Sequence, residues 1–222
     1  VHSSSTTSPP VFYTEKDWTN IDGPKVSTYA VAKTLSEKAA WEFMEKEKPN
    51  FAFTAINPSI VLGPVASSNV GSSTEFIKMM LIPKHRLNVS SHIPIVDIRN
   101  VVEAHVNAAK LPKEATAGKR FIIHHSGEGD LTHHEMTKIM AKEFGPMGYK
   151  VPDIYVPDAV WWVFSFCFKV AQRVYRGIGP KRLLLNKESR EILKISYIPV
   201  EKTLVDAGHS MIDYGVIPKT QG

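Results

Sequence analysis

The stretch that begins at Ser27 constrains the fold of this 222-residue chain more than any other. Ser27 is a favourable N-cap, and the residues after it are mainly Ala, Leu, Glu and Lys, with no Gly or Pro before Pro49. This composition predicts a helix over residues 28–47. Tyr29 and Lys33 are four residues apart, so the helix places them on one face, with Cβ atoms about 5–6 Å apart.

A phenol beside an ammonium group is a usable proton donor. The ordinary pKa of a phenol is about 10, and a nearby cation lowers it by stabilising the phenolate. Such a tyrosine gives a proton to a developing alkoxide or takes one from an alcohol. The Tyr29–Lys33 spacing is weak by itself, because seven tyrosines in a lysine-rich chain allow a chance match. A structural tyrosine with a solvated lysine is the alternative.

Short apolar segments on both sides of this helix predict strands. Residues 1–5 run into a hydroxyl-rich turn, and residues 51–56 are apolar and β-prone. A strand, a helix and a strand form a βαβ unit, which implies parallel pairing and a right-handed crossover. Ser5 ends the first strand, and Asn57 and Pro58 end the second. Because ligands of open α/β sheets bind at the carboxyl ends of strands, these residues are predicted to lie at a site.

The rest of the chain alternates further helices and strands. Strands are predicted over residues 93–96 and 121–124, an extended linker over 152–157, and helices over 75–81, 98–109, 132–144, 158–175, 189–193 and 201–214. Asp97 is predicted to cap one helix, and Thr132 with Glu135 to form a capping box at another. Arg99 is expected to pair locally rather than to touch a substrate.

The predicted helix over residues 158–175 is unusually aromatic. Its five large rings belong to Trp161, Trp162, Phe164, Phe166 and Phe168. Rings so closely spaced cannot all face one side, so the helix is buried on several sides or faces a pocket, a subunit partner or a membrane surface. The apolar run is about ten residues long, too short to span a bilayer. The predicted substrate is therefore apolar, with Trp161 and Trp162 as its contacts.

Composition excludes several other classes of protein. The net charge of +5 is spread out and forms no nucleic-acid-binding stripe. Cys167 is the single cysteine, so an internal disulfide is excluded, and a reducing, cytoplasmic location is weakly favoured. Its thiol is expected to be buried and inert. No secretory signal or transmembrane segment is predicted. The paired histidines at 124–125 and 133–134 lack the spacing of a zinc site, so no metal is predicted.

Three motifs in order resemble the extended branch of the short-chain dehydrogenase/reductase family. The likeness is to its dihydroflavonol-reductase-like members and to the NAD-dependent epimerase/dehydratases, and it rests on residues 29–41, 56–64 and 95–105. The family usually has Asp at the position of Asn100. The resemblance implies an NAD(P)-dependent oxidoreductase acting on CH–OH groups.

The catalytic roles that the resemblance implies fall on three residues. Tyr29 would protonate the substrate oxygen, or act as the base in the reverse direction. Lys33 would assist it and hold the nicotinamide ribose. Ser5 would donate a hydrogen bond to the carbonyl oxygen and so also contact the substrate, with Ser4 as the alternative if the register shifts by one.

The implied cofactor is NADP or NAD, with NADP slightly preferred. Its predicted contacts are Tyr29, Lys33, Asn57, Pro58 and Ile60. The glycine-rich turn that receives a pyrophosphate is not found in this sequence. The chain is therefore expected to be the C-terminal part of a longer reductase and to have little or no activity by itself.

The predicted fold class is α/β, a partial Rossmann-like parallel sheet plus a small C-terminal α/β substrate-binding region. Residues 1–64 would complete a dinucleotide-binding domain, and residues 65–222 would be mainly substrate-binding, with residues 93–110 returning to the Rossmann core. The predicted function is reduction of a small apolar aldehyde or ketone to an alcohol, or the reverse, with a homodimer suggested by the family. The alternatives are a 3β-hydroxysteroid dehydrogenase or sugar epimerase of the same fold, and a non-catalytic binding protein.

Overall fold

A computed structural model describes residues 11–23, 26–69, 71–83, 87–88, 91–125, 130–152, 154–169, 171–172 and 182–220. The helices in this part of the chain are α1 (Thr28–Glu47), α2 (Ser72–Leu81), α3 (Ile98–Lys110), α4 (Lys113–Thr116), α5 (His133–Phe144), α6 (Asp158–Ser165), α7 (Lys187–Glu191) and α8 (Val200–Asp213). The strands are β1 (Val11–Tyr13), β2 (Ala55–Pro58), β3 (Ile60–Leu62), β4 (Leu87–Asn88), β5 (Ile95–Asp97), β6 (Arg120–Ile123), β7 (Ile154–Tyr155) and β8 (Arg182–Leu184). The predicted first strand, residues 1–5, lies outside the described residues.

The paired strands are all parallel. β1 pairs with β8, β2 with β6, β3 with β5, and β4 with β7. Parallel pairs need crossover connections, which here contain helices, so the α/β class is confirmed. The second predicted strand was placed too early, because β2 starts at Ala55 and not at residue 51. Its partner β6 begins at Arg120, opposite Ala55, so the residues before it meet a turn instead of a strand.

Two apolar clusters bury the helices against these strands. The first joins α2, α5 and α8 around fully buried Met140, Phe144 and Leu204. The second lies between α3 and the strands β5 and β6, around Phe121 and Ile123. Each large side chain buried in this way contributes about 1.5–3 kcal/mol relative to exposure. The clusters fix the strand ends from which the site residues project.

Asp97 connects the start of α3 to α8. Its buried carboxylate accepts the backbone N–H of Arg99 at 2.8 Å, which confirms the predicted cap. The Arg99 guanidinium also contacts it at 2.7 Å, so the predicted local pairing is confirmed. From α8, the Thr203 hydroxyl donates to Asp97 at 2.8 Å, and Asp206 receives the other end of Arg99 at 2.7 Å. This network therefore fixes α8 against the β5–α3 junction.

Asn100, in the first turn of α3, fixes a loop that is distant in sequence. Its amide nitrogen donates to the carbonyl oxygen of Ser196 at 2.9 Å, and its amide oxygen accepts the backbone N–H of Ile198 at 2.9 Å. The Asn100 side chain is buried, and leaving its amide unpaired there would cost about 1–3 kcal/mol. The amide therefore supplies both a donor and an acceptor to residues 196–198.

The predicted capping box at Thr132 and Glu135 is confirmed. The predicted helix over residues 158–175 is interrupted: α6 ends at Ser165, a turn follows, and residues 169, 171 and 172 are helical again. There the Ser165 hydroxyl donates to the Trp162 carbonyl oxygen at 2.6 Å, a local bond that competes with the helix. Cys167 follows in a turn and is exposed, so the expectation of a buried thiol is wrong. No helix in the described part of the chain is long and apolar enough to cross a membrane.

Candidate active site

The site is built on the first turns of α1. The Ser27 hydroxyl accepts the backbone N–H of Ala30 at 3.1 Å, which caps the helix as predicted. Tyr29 and Lys33 are both exposed, with 73% of Tyr29 accessible. Among the described residues, neither side chain forms a hydrogen bond or an ion pair. The phenol and the ammonium group therefore stand on one helix face, available to a ligand.

Glu37 continues this face one turn further along α1. Its carboxylate accepts Arg120 Nε at 2.7 Å and Nη2 at 3.2 Å, a bidentate ion pair. It also accepts the indole N–H of Trp41 at 3.2 Å. Burial raises the pKa of Glu37, but the bonds from Arg120 and Trp41 outweigh burial and leave the pKa below its ordinary value. Glu37 is therefore an anion at neutral pH, already neutralised by its partner.

The same carboxylate reaches the strand end predicted to face the cofactor. Asn57 donates from its amide to Glu37 at 3.5 Å, the long end of hydrogen-bond distance. Asn57 lies at the end of β2, opposite Ile122 of β6. Glu37 thus links the helix that carries Tyr29 to the strand that carries Asn57, and so joins two of the predicted parts of the site.

Pro58 and Ile60, the other predicted cofactor contacts, lie on either side of the break between β2 and β3. Pro58 is exposed, and Ile60 is 41% accessible. Ser59 between them has its hydroxyl 3.2 Å from Nδ1 of buried His124. Nε2 of the same ring lies 3.1 Å from buried Asp130. These polar contacts fix the β2–β3 turn on its buried side. The exposed side of the turn, at Pro58 and Ile60, stays accessible to a ligand.

The two predicted substrate contacts on α6 point in different directions. Trp161 is partly buried, and its indole nitrogen is enclosed without a hydrogen-bond partner among the described residues. Trp162 is 50% accessible and packs edge-to-face on Phe166. In the described part of the chain, no hydrogen bond or ring contact links either tryptophan to α1. Ser5, the third member of the predicted trio, lies outside the described residues.

Sequence reasoning missed the residues that support this site. Glu37 could have been found, because it follows Lys33 at the four-residue spacing that shares a helix face. Arg120 is 83 positions from Glu37, so no local sequence pattern predicts that pair. His124 was considered only as part of a metal site and Asp130 was not considered, whereas the structure joins both to Ser59.

The chain is similar to known proteins over most of its length. No family model matches the chain. A putative NADPH-dependent methylglyoxal reductase of Candida albicans is 28% identical over 212 residues, covering 90% of this chain and 56% of the relative. The NADPH-dependent methylglyoxal reductase of Saccharomyces cerevisiae is 28% identical over 209 residues, covering 89% of this chain and 54% of the relative. The chain thus spans about half the length of the curated relatives it matches.

Solved structures share the fold. The yeast methylglyoxal/isovaleraldehyde reductase, solved in complex with NADPH, superposes with a TM-score of 0.70 and 21% identity, over 94% of this chain and 59% of that one. At this identity the likeness concerns the fold. Together with the similarity to the two curated reductases, this shared fold agrees with the resemblance of the sequence motifs to the extended short-chain dehydrogenase/reductase family.

Proposed function

We propose that the native protein carrying this chain reduces an aldehyde or ketone to an alcohol with NAD(P)H, with NADPH as the favoured cofactor. The observation that carries the proposal is the exposed Tyr29–Lys33 pair on α1, tied through Glu37 to Asn57 at a strand end. The fold and two curated relatives that are named NADPH-dependent reductases support it. The reverse oxidation uses the same groups.

The residues present suit a nicotinamide cofactor. Lys33 has no anion beside it among the described residues and is exposed, so its ammonium is available to ribose hydroxyls. The outer surface of Pro58 and Ile60 is open and apolar, which suits the face of a nicotinamide ring. When bound, the reduced cofactor supplies a hydride to the carbonyl carbon.

The chain's own residues handle the oxygen and its proton. Tyr29 transfers its phenolic proton to the oxygen as negative charge develops there. Lys33 stabilises the phenolate that remains, and solvent returns a proton to it after product leaves. Ser5, outside the described residues, is assigned a hydrogen bond to the same oxygen. No covalent intermediate with the protein is required.

Trp161 is the proposed substrate contact on α6. Its partly buried ring offers an apolar wall to a substrate. The proposed substrate is therefore a small apolar carbonyl compound. The assignment of Trp162 to the substrate stays a prediction.

The location and assembly of the enzyme are also proposals. We place it in the cytoplasm, since one cysteine in 222 residues allows no internal disulfide. A homodimer is the assembly that the family suggests, and light scattering on the native protein tests it.

The test is reduction of a panel of aldehydes and ketones by the native full-length protein, with NADPH and NADH compared. Tyr29→Phe removes only the hydroxyl and is expected to lower kcat by about 100-fold or more, with little change in NADPH affinity. Tyr214→Phe is the matched control, because Tyr214 is also exposed, at 50%, and lies on another helix end. Full activity in Tyr29→Phe, or failure of the native protein to bind either cofactor, would refute the proposal.

A further inference from the structure

Ser59 stands where the chain changes its strand partner. β2 before it pairs with β6, whereas β3 after it pairs with β5. The backbone N–H of Ser59 donates to the carbonyl oxygen of Ile123 at 3.1 Å, and the next N–H, that of Ile60, donates to the carbonyl oxygen of Pro94 at 3.0 Å. Because no single ladder of backbone bonds runs through this point, the path of the β2–β3 turn depends on additional contacts.

The side chain of Ser59 supplies such a contact to His124, which follows the last residue of β6. The Ser59 hydroxyl lies 3.2 Å from Nδ1 of His124, and Nε2 of that ring lies 3.1 Å from a carboxylate oxygen of Asp130. The His124 and Asp130 side chains are 0% and 2% accessible. An imidazole so enclosed cannot touch a ligand, so any effect that it has on one passes through the residues it contacts.

The backbone of His124 is held as well. Buried Asn186 donates from its amide to the His124 carbonyl oxygen at 2.6 Å, and the His124 N–H donates to the hydroxyl oxygen of Tyr197 at 3.4 Å. The Tyr197 hydroxyl is in turn 2.7 Å from the hydroxyl of Ser189. The imidazole is therefore fixed from several sides, which is what a group that positions its neighbour requires.

The contacts of the ring select one tautomer. An ionised carboxylate only accepts hydrogen bonds, so Nε2 of His124 carries the proton that bonds Asp130. Nδ1 of the neutral ring is then an acceptor, and the Ser59 hydroxyl is the donor to it. The hydrogen bonds thus run in one direction, from Ser59 to His124 and from His124 to Asp130.

We propose that His124 is a positioning residue for the cofactor. Held by Asp130 as the Nε2–H tautomer, it fixes the Ser59 hydroxyl. The β2–β3 turn is thereby kept in the path that exposes Pro58 and Ile60. The proposal rests on the proposed reductase function, because it assigns that exposed side to the nicotinamide ring. It adds a buried residue that sets the affinity for NADPH without touching it.

The test compares two variants of the native full-length protein, each of which can keep one of the two contacts. His124→Gln places an amide donor near Asp130 but leaves Ser59 without an acceptor, whereas His124→Asn places an amide oxygen near the position of Nδ1. By isothermal titration, the Kd for NADPH should rise about tenfold in His124→Gln, the size expected for one lost hydrogen bond, and less than about threefold in His124→Asn.

Substitutions of Ser59 give a second route that leaves the buried ring intact, and they decide the question if His124→Gln does not fold. Ser59→Ala should raise the Kd for NADPH about tenfold, while Ser59→Thr keeps a hydroxyl and should stay within about threefold of the wild type. Ser59→Ala/His124→Gln should bind no more weakly than either single variant, because both changes remove the same bond. The KM for the carbonyl substrate should change less than about twofold, because the turn is assigned to the cofactor alone.

His209→Gln is the matched control. His209 also pairs with a carboxylate, that of Glu143 at 2.7 Å, but this pair joins α8 to α5 and its histidine side chain is 41% accessible. The variant should bind NADPH as the wild type does.

Hydrogen–deuterium exchange of the cofactor-free protein examines the turn separately. The amides of Ser59 and Ile60 should exchange about tenfold faster in His124→Gln than in the wild type, and His124→Asn should stay close to the wild type. Nitrogen-15 NMR of the His124 ring should find the proton on Nε2.

Equal NADPH affinity in the wild type and in both His124→Gln and Ser59→Ala would overturn the proposal, as would a proton on Nδ1 of His124. An equal loss of affinity in His209→Gln would assign the effect to general destabilisation and would also overturn it. A native protein that binds neither NADPH nor NADH would refute the reductase function itself. In that case faster exchange in His124→Gln would still show that His124 holds the turn, but not for a nicotinamide.

Discussion

Replacing Arg120 by methionine should destabilise the protein by about 3 kcal/mol. The guanidinium forms a bidentate ion pair with Glu37, donates to the carbonyl oxygens of Glu15 and Asp17 at 2.5 and 2.9 Å, and lies 3.9 Å from the ring of Trp18. Breaking a fully buried ion pair costs about 3–5 kcal/mol because the remaining charge is left unpaired. The side chains of Arg120 and Glu37 are 18% and 17% accessible, so we expect a cost at the lower end of this range.

The free energy of unfolding of the native protein, measured by urea titration, checks this value. Lys38→Met is the matched control, because Lys38 approaches the same Trp18 ring at 5.7 Å, a surface contact worth about 0.5–1 kcal/mol. A double-mutant cycle of Arg120→Met with Glu37→Gln should show a coupling of at least about 1 kcal/mol. Equal urea midpoints for Arg120→Met and Lys38→Met would refute the reasoning.

Three further predictions follow from the same structure. The pKa of Glu37 in the folded protein lies below its ordinary value of 4.5. The stability that Glu37 contributes is therefore present above pH 4.5 and is lost as the pH falls through the lower pKa of the folded state. Urea midpoints should drop more steeply on acidification in the wild type than in Glu37→Gln. Gly208→Ala would place a methyl group on the ring of buried Phe144. The overlap should cost about 1–3 kcal/mol and exceed the roughly 1 kcal/mol gained in helix propensity, so the variant should be less stable. A raised thermal midpoint would contradict this. Trp161→Ala should lower kcat/KM about tenfold or more for bulky apolar carbonyl compounds and less for the smallest ones, and equal activity on both would count against a substrate contact.

Local patterns predicted the local features of the fold. α1 spans the predicted residues 28–47 because its cap and its composition are both encoded nearby. The Thr132 capping box and the Asp97 cap were predictable for the same reason, since each bond joins residues two or three positions apart. The start of β2 was misplaced because β6, more than 60 positions later, decides which residues pair.

The supporting contacts of the candidate site were not predictable from one sequence. The Glu37–Arg120 pair and the contacts of His124 with Ser59 join residues 83 and 65 positions apart, and only the folded chain brings them together. The roles of Tyr29, Lys33 and Asn57 remain predictions from their motifs. Asn57 contacts Glu37, and Tyr29 and Lys33 precede Glu37 on one face of α1, which gives those predictions a geometry that activity measurements can test.

Asn100 shows why a residue that departs from the family should not be exchanged alone. The family that the sequence resembles usually has Asp at this position, and Asp has almost the same shape. An ionised Asp could still accept from Ile198 but would set a second oxygen against the carbonyl of Ser196, where the amide now donates. Asn100→Asp would thus turn an attraction into a repulsion between two acceptors. In this chain residue 100 and the path of the 196–198 loop therefore form one unit, because the amide and the two backbone groups each need the other in place.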